Sequence, residues 1–155
     1  MEADSKKGNV GLSSEDEKSV RQAIIDAELK TSGEIRVHIE ENCRVDVLDR
    51  AVYVFEKLKM HKTKFRNGAL FYLSMNDHKF AVIGDAGINA VVEDDFWEEV
   101  RDKLAVYFAN GQFADGLVHG IKLTGERLKR YFPYPDDDIN ELPDDISYEK
   151  FPKTD

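Results

Sequence analysis

The feature that most restricts the fold is a pair of unlike apolar segments with a helical pattern between them. Glu34-Ile35-Arg36-Val37-His38-Ile39-Glu40 alternates polar and apolar without a break. That is the pattern of a strand with one covered face, suited to a position near a sheet edge. Ala69-Leu70-Phe71-Tyr72-Leu73 is a continuous apolar run, which suits a strand covered on both faces. Between them, Asp46 begins a helix with Val47, Ala51, Val54, Phe55 and Leu58 as its apolar stripe, running out near Met60-His61-Lys62. A helix-bearing connection of more than twenty residues has the length of a parallel βαβ crossover, which is almost always right-handed.

The remaining pattern completes one small α/β domain. Asn76-Asp77 is turn chemistry, and Lys79-Phe80-Ala81-Val82-Ile83 returns as a hairpin partner of the second strand. The sheet is therefore mixed, with a parallel pair and an antiparallel third strand. Upstream, Ser14 with Glu17 three residues on fits a capping box, and Val20, Ala23, Ile24 and Ala27 follow at helical spacing. Gly33 then reads as the helix stop. Downstream, Ile88 to Val92 suggests one helical turn. Glu93-Asp94-Asp95 opens a longer helix with Phe96, Val100, Leu104 and Phe108 on its buried side. Phe113, Leu117, Ile121 and Leu128 line a last helix that ends at Tyr131-Phe132-Pro133. The expected organisation is a flexible N-terminus over residues 1–12, a domain over 13–132 and an acidic, disordered tail over 133–155.

Strand direction makes a geometric prediction from these elements. Parallel neighbours bring Ser32-Gly33-Glu34 and Arg66-Asn67-Gly68 to the same end of the sheet. The antiparallel third strand returns Gly84-Asp85-Ala86-Gly87 to that end, with Asp94 and Asp95 a few residues further on. The gathered groups are rich in oxygen. Asp85, Glu34, Asp94, Asp95 and the amide of Asn67 suit a hard divalent cation such as calcium or magnesium. Arg66 is a planar fork for phosphate or carboxylate. Metal, guanidinium and carboxylate together form the kit for phosphoester hydrolysis, with Asp85 and Arg66 as the candidate catalytic pair. The same residues have plainer readings: Asp85 as a turn residue, Asp94 and Asp95 as helix caps, Glu34 on the solvent face, Arg66 in a surface ion pair.

Several classes are disfavoured. Of the nine net negative charges, six lie in residues 132–155, where eight acids face two lysines. The body is only mildly acidic and has no basic patch interleaved with aromatics, which argues against nucleic acid. His38, His61, His78 and His119 sit on different elements without metal-ligand spacing, so zinc is not expected. Cys43 is the single cysteine and cannot close an internal disulfide. With neither a leader-like apolar run at the start nor a stretch near the ~20 apolar residues of a membrane span, the expectation is a cytoplasmic chain without direct membrane insertion.

Thr31-Ser32-Gly33-Glu34-Ile35, Met60 through Thr63 leading to Arg66-Asn67-Gly68-Ala69-Leu70, Gly84-Asp85-Ala86-Gly87-Ile88 and then Phe96-Trp97 resemble the TPM domain in order and spacing. The match covers about residues 14–132. The resemblance implies a three-layer α/β/α sandwich with an acidic, divalent-ion-binding site at the sheet end identified above. It also implies Glu34, Arg66, Asn67, Asp85 and Asp94 or Asp95 as site positions. Some members of the family are described as acid phosphatases or nucleotide phosphohydrolases, so the implied ligand is a phosphorylated small molecule or nucleotide. Others have no established activity, which leaves a non-catalytic, metal-binding interaction module in membrane-protein quality control as the alternative. A LemA-type membrane protein is the partner that alternative implies. Many relatives carry an N-terminal signal and a C-terminal membrane helix; this sequence shows neither and is expected to act as a stand-alone domain.

Overall fold

The computed structural model describes residues 11–134 and 146–148. In chain order the elements are α1 (Ser14–Glu28), β1 (Glu34–Glu40), α2 (Val47–Lys57), a 3-10 turn at Met60–Lys62, β2 (Gly68–Ser74), β3 (Lys79–Gly84), α3 (Ala86–Asn89), α4 (Phe96–Ala109), α5 (Phe113–Leu128) and β4 (Ile146–Tyr148). The strands form one sheet in the order β3-β2-β1-β4. β1 and β2 are parallel, with Glu34 opposite Gly68 and Glu40 opposite Ser74. β3 is antiparallel to β2, with Ala69 opposite Gly84.

Side-chain alternation divides the sheet into two faces. Ile35, Val37, Ile39, Ala69, Phe71 and Leu73 enter a core shared with α1, α4 and α5, which includes Val20, Ile24, Phe96, Leu104 and Ile121. Leu70, Tyr72 and Ala81 point the other way, onto Ala51, Val54, Phe55 and Met60. The result is the three-layer α/β/α sandwich, with α2 alone opposite the three-helix layer.

Local chemistry moves several boundaries. The cap of α1 is Ser13, not Ser14: its Oγ accepts from the Asp16 amide at 3.1 Å. The first helical ring also starts there, since the Glu17 amide donates to the Ser13 carbonyl at 2.8 Å. The helix ends at Glu28, well before Gly33, which takes no left-handed conformation. Asp46 caps α2 as expected, accepting from the amides of Leu48 and Asp49.

β1 lies next to the sheet edge, as expected, with one short strand outside it. Ile146–Tyr148 pairs with it in parallel, Ile146 opposite Val37 and Tyr148 opposite Ile39. Those three residues lie in the segment expected to be disordered. Two β-prone residues amid acids have their own places here: Ile146 is buried in the main core, and the Tyr148 hydroxyl donates to Glu17. The expectations for residues 1–10, 135–145 and 149–155 lie outside the described residues. Leu12, placed in the expected flexible N-terminus, is buried in the core.

Glu34, His38 and Glu40 of β1 are buried on the face that packs against α2. Glu40 is fully buried and its carboxylate is saturated. Arg50 of α2 donates from Nε at 3.1 Å and Nη2 at 2.5 Å, the Tyr72 hydroxyl donates at 2.6 Å, and His38 Nε2 lies at 3.1 Å. His38 Nδ1 lies 2.6 Å from the Ser147 hydroxyl, which donates to the Val37 carbonyl at 3.3 Å. One hydrogen-bonded chain thus joins α2, β2, β1 and β4 at the C-terminal end of β1.

Candidate functional site

At the opposite sheet end, main-chain bonds gather the three polar segments. The Glu34 amide donates to the Asn67 carbonyl at 3.2 Å, the Asp85 amide to the Gly68 carbonyl at 2.9 Å, and the Gly87 amide to the Arg66 carbonyl at 2.8 Å. Asn67 is buried and its Nδ2 donates to Ser32 Oγ at 3.3 Å. The convergence follows from the strand directions: parallel β1 and β2 begin together, and β3 ends beside them.

Asp85 and Arg66 form a two-pronged ion pair at this end. Arg66 Nε donates to Asp85 Oδ2 at 2.7 Å, and Nη2 donates to Oδ1 at 2.8 Å. Oδ1 also accepts from the Ala86 amide at 2.8 Å, so Asp85 caps α3. The paired groups differ in exposure: the Asp85 side chain is 7% exposed and the Arg66 side chain 52%. The Asp85 hydrogen bonds and its charge raise the Arg66 guanidinium above its usual value. A buried carboxylate therefore holds an accessible guanidinium in a fixed orientation.

The backbone holding Arg66 is unusual. Its φ is 53°, in the left-handed region that L side chains rarely adopt. Gly87 closes on this loop: a Cβ there would lie 2.1 Å from the Phe65 carbonyl oxygen and 2.6 Å from that of Arg66. Gly84 makes a second close approach. A Cβ there would lie 2.3 Å from Cζ2 of Trp97. The Trp97 indole donates to Asn89 Oδ1 at 2.8 Å, and Asn89 Nδ2 donates to the Gly84 carbonyl at 3.0 Å. Trp97 is thus fixed over the end of β3.

The ion pair opens into a groove of about 460 Å³ between α2 and α4. Leu48, Val52, Ile83 and Trp97 supply apolar lining, while Arg66 and Arg101 supply two guanidinium groups. Asp85, Asn89, Glu56 and His61 complete the polar lining among the described residues, and none of the described lining residues is serine, threonine or cysteine. Leu48 and Val52 are 54% and 47% exposed, on a side of α2 distinct from its buried stripe.

The expected ligand set is only partly assembled. Glu34 is buried rather than solvent-facing. Asp94 and Asp95 are exposed in the turn entering α4 and do not line the groove. Asp95 occupies the cap position of α4 without a side-chain cap bond. Among the described residues, no group of three or more acidic, histidine or cysteine side chains comes together as a cation site. Arg101, Trp97 and the exposed pair Leu48 and Val52 were not singled out as site residues in the sequence. The available signal was that Leu48 and Val52, four residues apart, make an apolar edge beside the buried stripe of α2.

An α/β/α sandwich with its polar segments gathered where β1 and β2 begin, and an arginine–aspartate pair at their meeting point, defines the class of domain. The TPM domain family model matches residues 9–127, and the chain belongs to that family. It is similar to the BA42 protein of the psychrophilic bacterium Bizionia argentinensis, solved by NMR. The identity is 49% and the TM-score 0.86, over 92% of this chain and 99% of that one. The N-terminal domain of cg2496 from Corynebacterium glutamicum shares the fold at 11% identity, with a TM-score of 0.62 over 94% of this chain and 90% of that one. No curated protein sequence matches. Among the described residues, no helix is long and apolar enough to cross a membrane.

Proposed function

We propose that the groove end at Arg66 and Asp85 binds the phosphoryl group of a phosphorylated small molecule, and that the domain hydrolyses such esters weakly with a divalent cation. The observation that carries this reading is the division of labour within the ion pair. A guanidinium has five N–H donors, and Asp85 engages Nε and Nη2. The donors left over belong to a half-exposed side chain that lines the groove. Asp85 acts on this view as a positioning residue for Arg66.

The donor chemistry suits a hydrated hard cation. A carboxylate offers about four acceptor sites, and the bonds from Arg66 and Ala86 occupy three of those on Asp85. One site on Oδ2 is left. Magnesium keeps several waters and needs one or two carboxylates together with substrate phosphate, so it fits this set better than calcium, which takes six to eight oxygens. When bound, the cation would supply charge neutralisation and a water of lowered pKa. Arg66 would hold the phosphoryl oxygens, and the apolar groove walls would limit access of bulk water.

The test is turnover of a chromogenic phosphoester with magnesium or calcium and with chelator. Activity should require the cation and fall at least about tenfold in Asp85→Asn. Equal residual activity in that variant would defeat the reading. The lack of a hydroxyl or thiol in the groove lining favours a second reading, a module that binds without turnover. It predicts a ligand-dependent rise in melting temperature and no product.

A further inference from the structure

We infer that the groove walls formed by Leu48, Val52, Ile83 and Trp97 are a subsite for a flat, largely apolar ring carried by the phosphorylated ligand. This rests on the reading of Arg66 as the phosphoryl holder and names the class of ester it would take: a phosphate attached directly to an aromatic body, in preference to one on a small polar body. Three observations support it. First, apolar side chains and the guanidinium groups of Arg66 and Arg101 line one continuous groove, so an anionic head and an apolar body can be satisfied together. Second, α2 carries Leu48 and Val52 about half exposed on the groove side; a bound ring would remove both from water. Third, Trp97 is not free to collapse into the space. Asn89 ties its indole to the end of β3, and its ring sits against Gly84, where a side chain would collide. A fixed aromatic side chain and aliphatic side chains lining one groove are suited to a planar group.

The charges agree with this occupant. Arg66 has Asp85 as its counter-ion, and Arg101 and Glu56 are the other charged side chains of the lining. A ligand with one compact anionic end and an uncharged body meets guanidinium at its head and apolar side chains along its ring.

The decisive experiment compares phenylphosphonate with methylphosphonate, two non-hydrolysable anions that differ only by the ring. Trp97 is the single tryptophan of the chain, so its fluorescence reports occupancy of the groove. Amide NMR would add Val52, Ile83 and the indole N–H as local probes. Phenylphosphonate should bind at least about tenfold more tightly than methylphosphonate, the scale of discrimination an apolar pocket provides. Leu48→Ser/Val52→Ser should erase that preference while leaving methylphosphonate unchanged. Both sites are exposed, and Val52→Ser alone repeats the test should the double variant fold poorly. Equal affinity for the two anions, with both lost in Arg66→Gln, would overturn the ring subsite and leave the phosphoryl reading standing. Failure of both anions to shift the groove probes would overturn both.

Discussion

Glu40 offers the sharpest test of the energetics, because its environment sets a sign and a size. Burial raises the carboxyl pKa. Hydrogen bonds from His38, Arg50 and Tyr72, with the Arg50 charge, more than offset this and bring it from 4.5 to about 2. Burial and the hydrogen bond to Glu40 push the Tyr72 hydroxyl the other way, upward. A shift of that size corresponds to about 3 kcal/mol in favour of the folded state when Glu40 is ionised. The folded pKa is the depressed one, so this stability is fully present above pH 4.5 and is lost as pH falls toward 2. By pH 3 about 2 kcal/mol of it should be gone. The assay is urea unfolding of the native chain and of Glu40→Gln from pH 7 to pH 3. The variant lacks the titrating group, so the stability difference between the two proteins should narrow by about 2 kcal/mol over that range. At pH 7 the variant should be about 3–5 kcal/mol less stable, because Arg50 is left buried without its counter-charge. Should that prevent folding, Glu40→Gln/Arg50→Met removes both charges and serves as the reference. Parallel pH profiles for the native chain and the reference would refute the assignment of the network to a carboxylate state.

Other consequences can be checked separately. Gly87→Ala should cost about 1–3 kcal/mol in urea unfolding and shift the amides of Phe65 and Arg66, since the new methyl meets main-chain oxygens that have no side-chain freedom to yield. Ile146→Ala should cost about 2 kcal/mol or more and speed hydrogen exchange at β1, because Ile146 carries β4 into the core. Cys43 is buried and its thiol donates to the Val45 carbonyl, so a thiol reagent should react slowly with the native protein and fully in denaturant.

Much of the sheet was legible because strand patterns are local. The alternation of residues 34–40, the apolar run within β2 and the Asn76-Asp77 turn are each contained in one short segment, and their directions bring Arg66, Asn67 and Asp85 together. What was not legible depends on partners distant in sequence. Glu40 sits at a polar position of an alternating strand, and what places it inside is bonding to Arg50 and Tyr72, distant in sequence. Its partner Arg50 did leave a trace: it lies three residues after Val47 and four before Val54, on the buried stripe of α2. An arginine there requires a buried acceptor. Asp94 and Asp95 are near Asp85 in sequence, yet α3 and the turn after it separate them from the groove. Proximity along the chain was a poor guide where a helix intervened.

Arg66 raises the question of why a half-exposed arginine is held at a φ of 53°, where glycine would be easier. Main-chain bonds from the neighbouring segments over-determine the loop: the Arg66 amide donates to the Thr63 carbonyl and its carbonyl accepts from Gly87. Such a setting allows an unfavourable conformation to persist where the side chain is needed. Substitution by glycine separates the two demands. Arg66→Gly removes the steric conflict of the left-handed backbone and also removes the guanidinium. If the residue is kept for its head group, both this variant and Arg66→Ala should lose phosphonate binding and the Asp85 ion pair. The glycine variant, relieved of the left-handed strain, should melt a few degrees above the alanine one, which keeps a Cβ in the same backbone conformation. If instead the glycine variant melts well below the native chain and still binds phosphonate, the ion pair with Asp85 is a structural clasp and the phosphoryl group is held elsewhere.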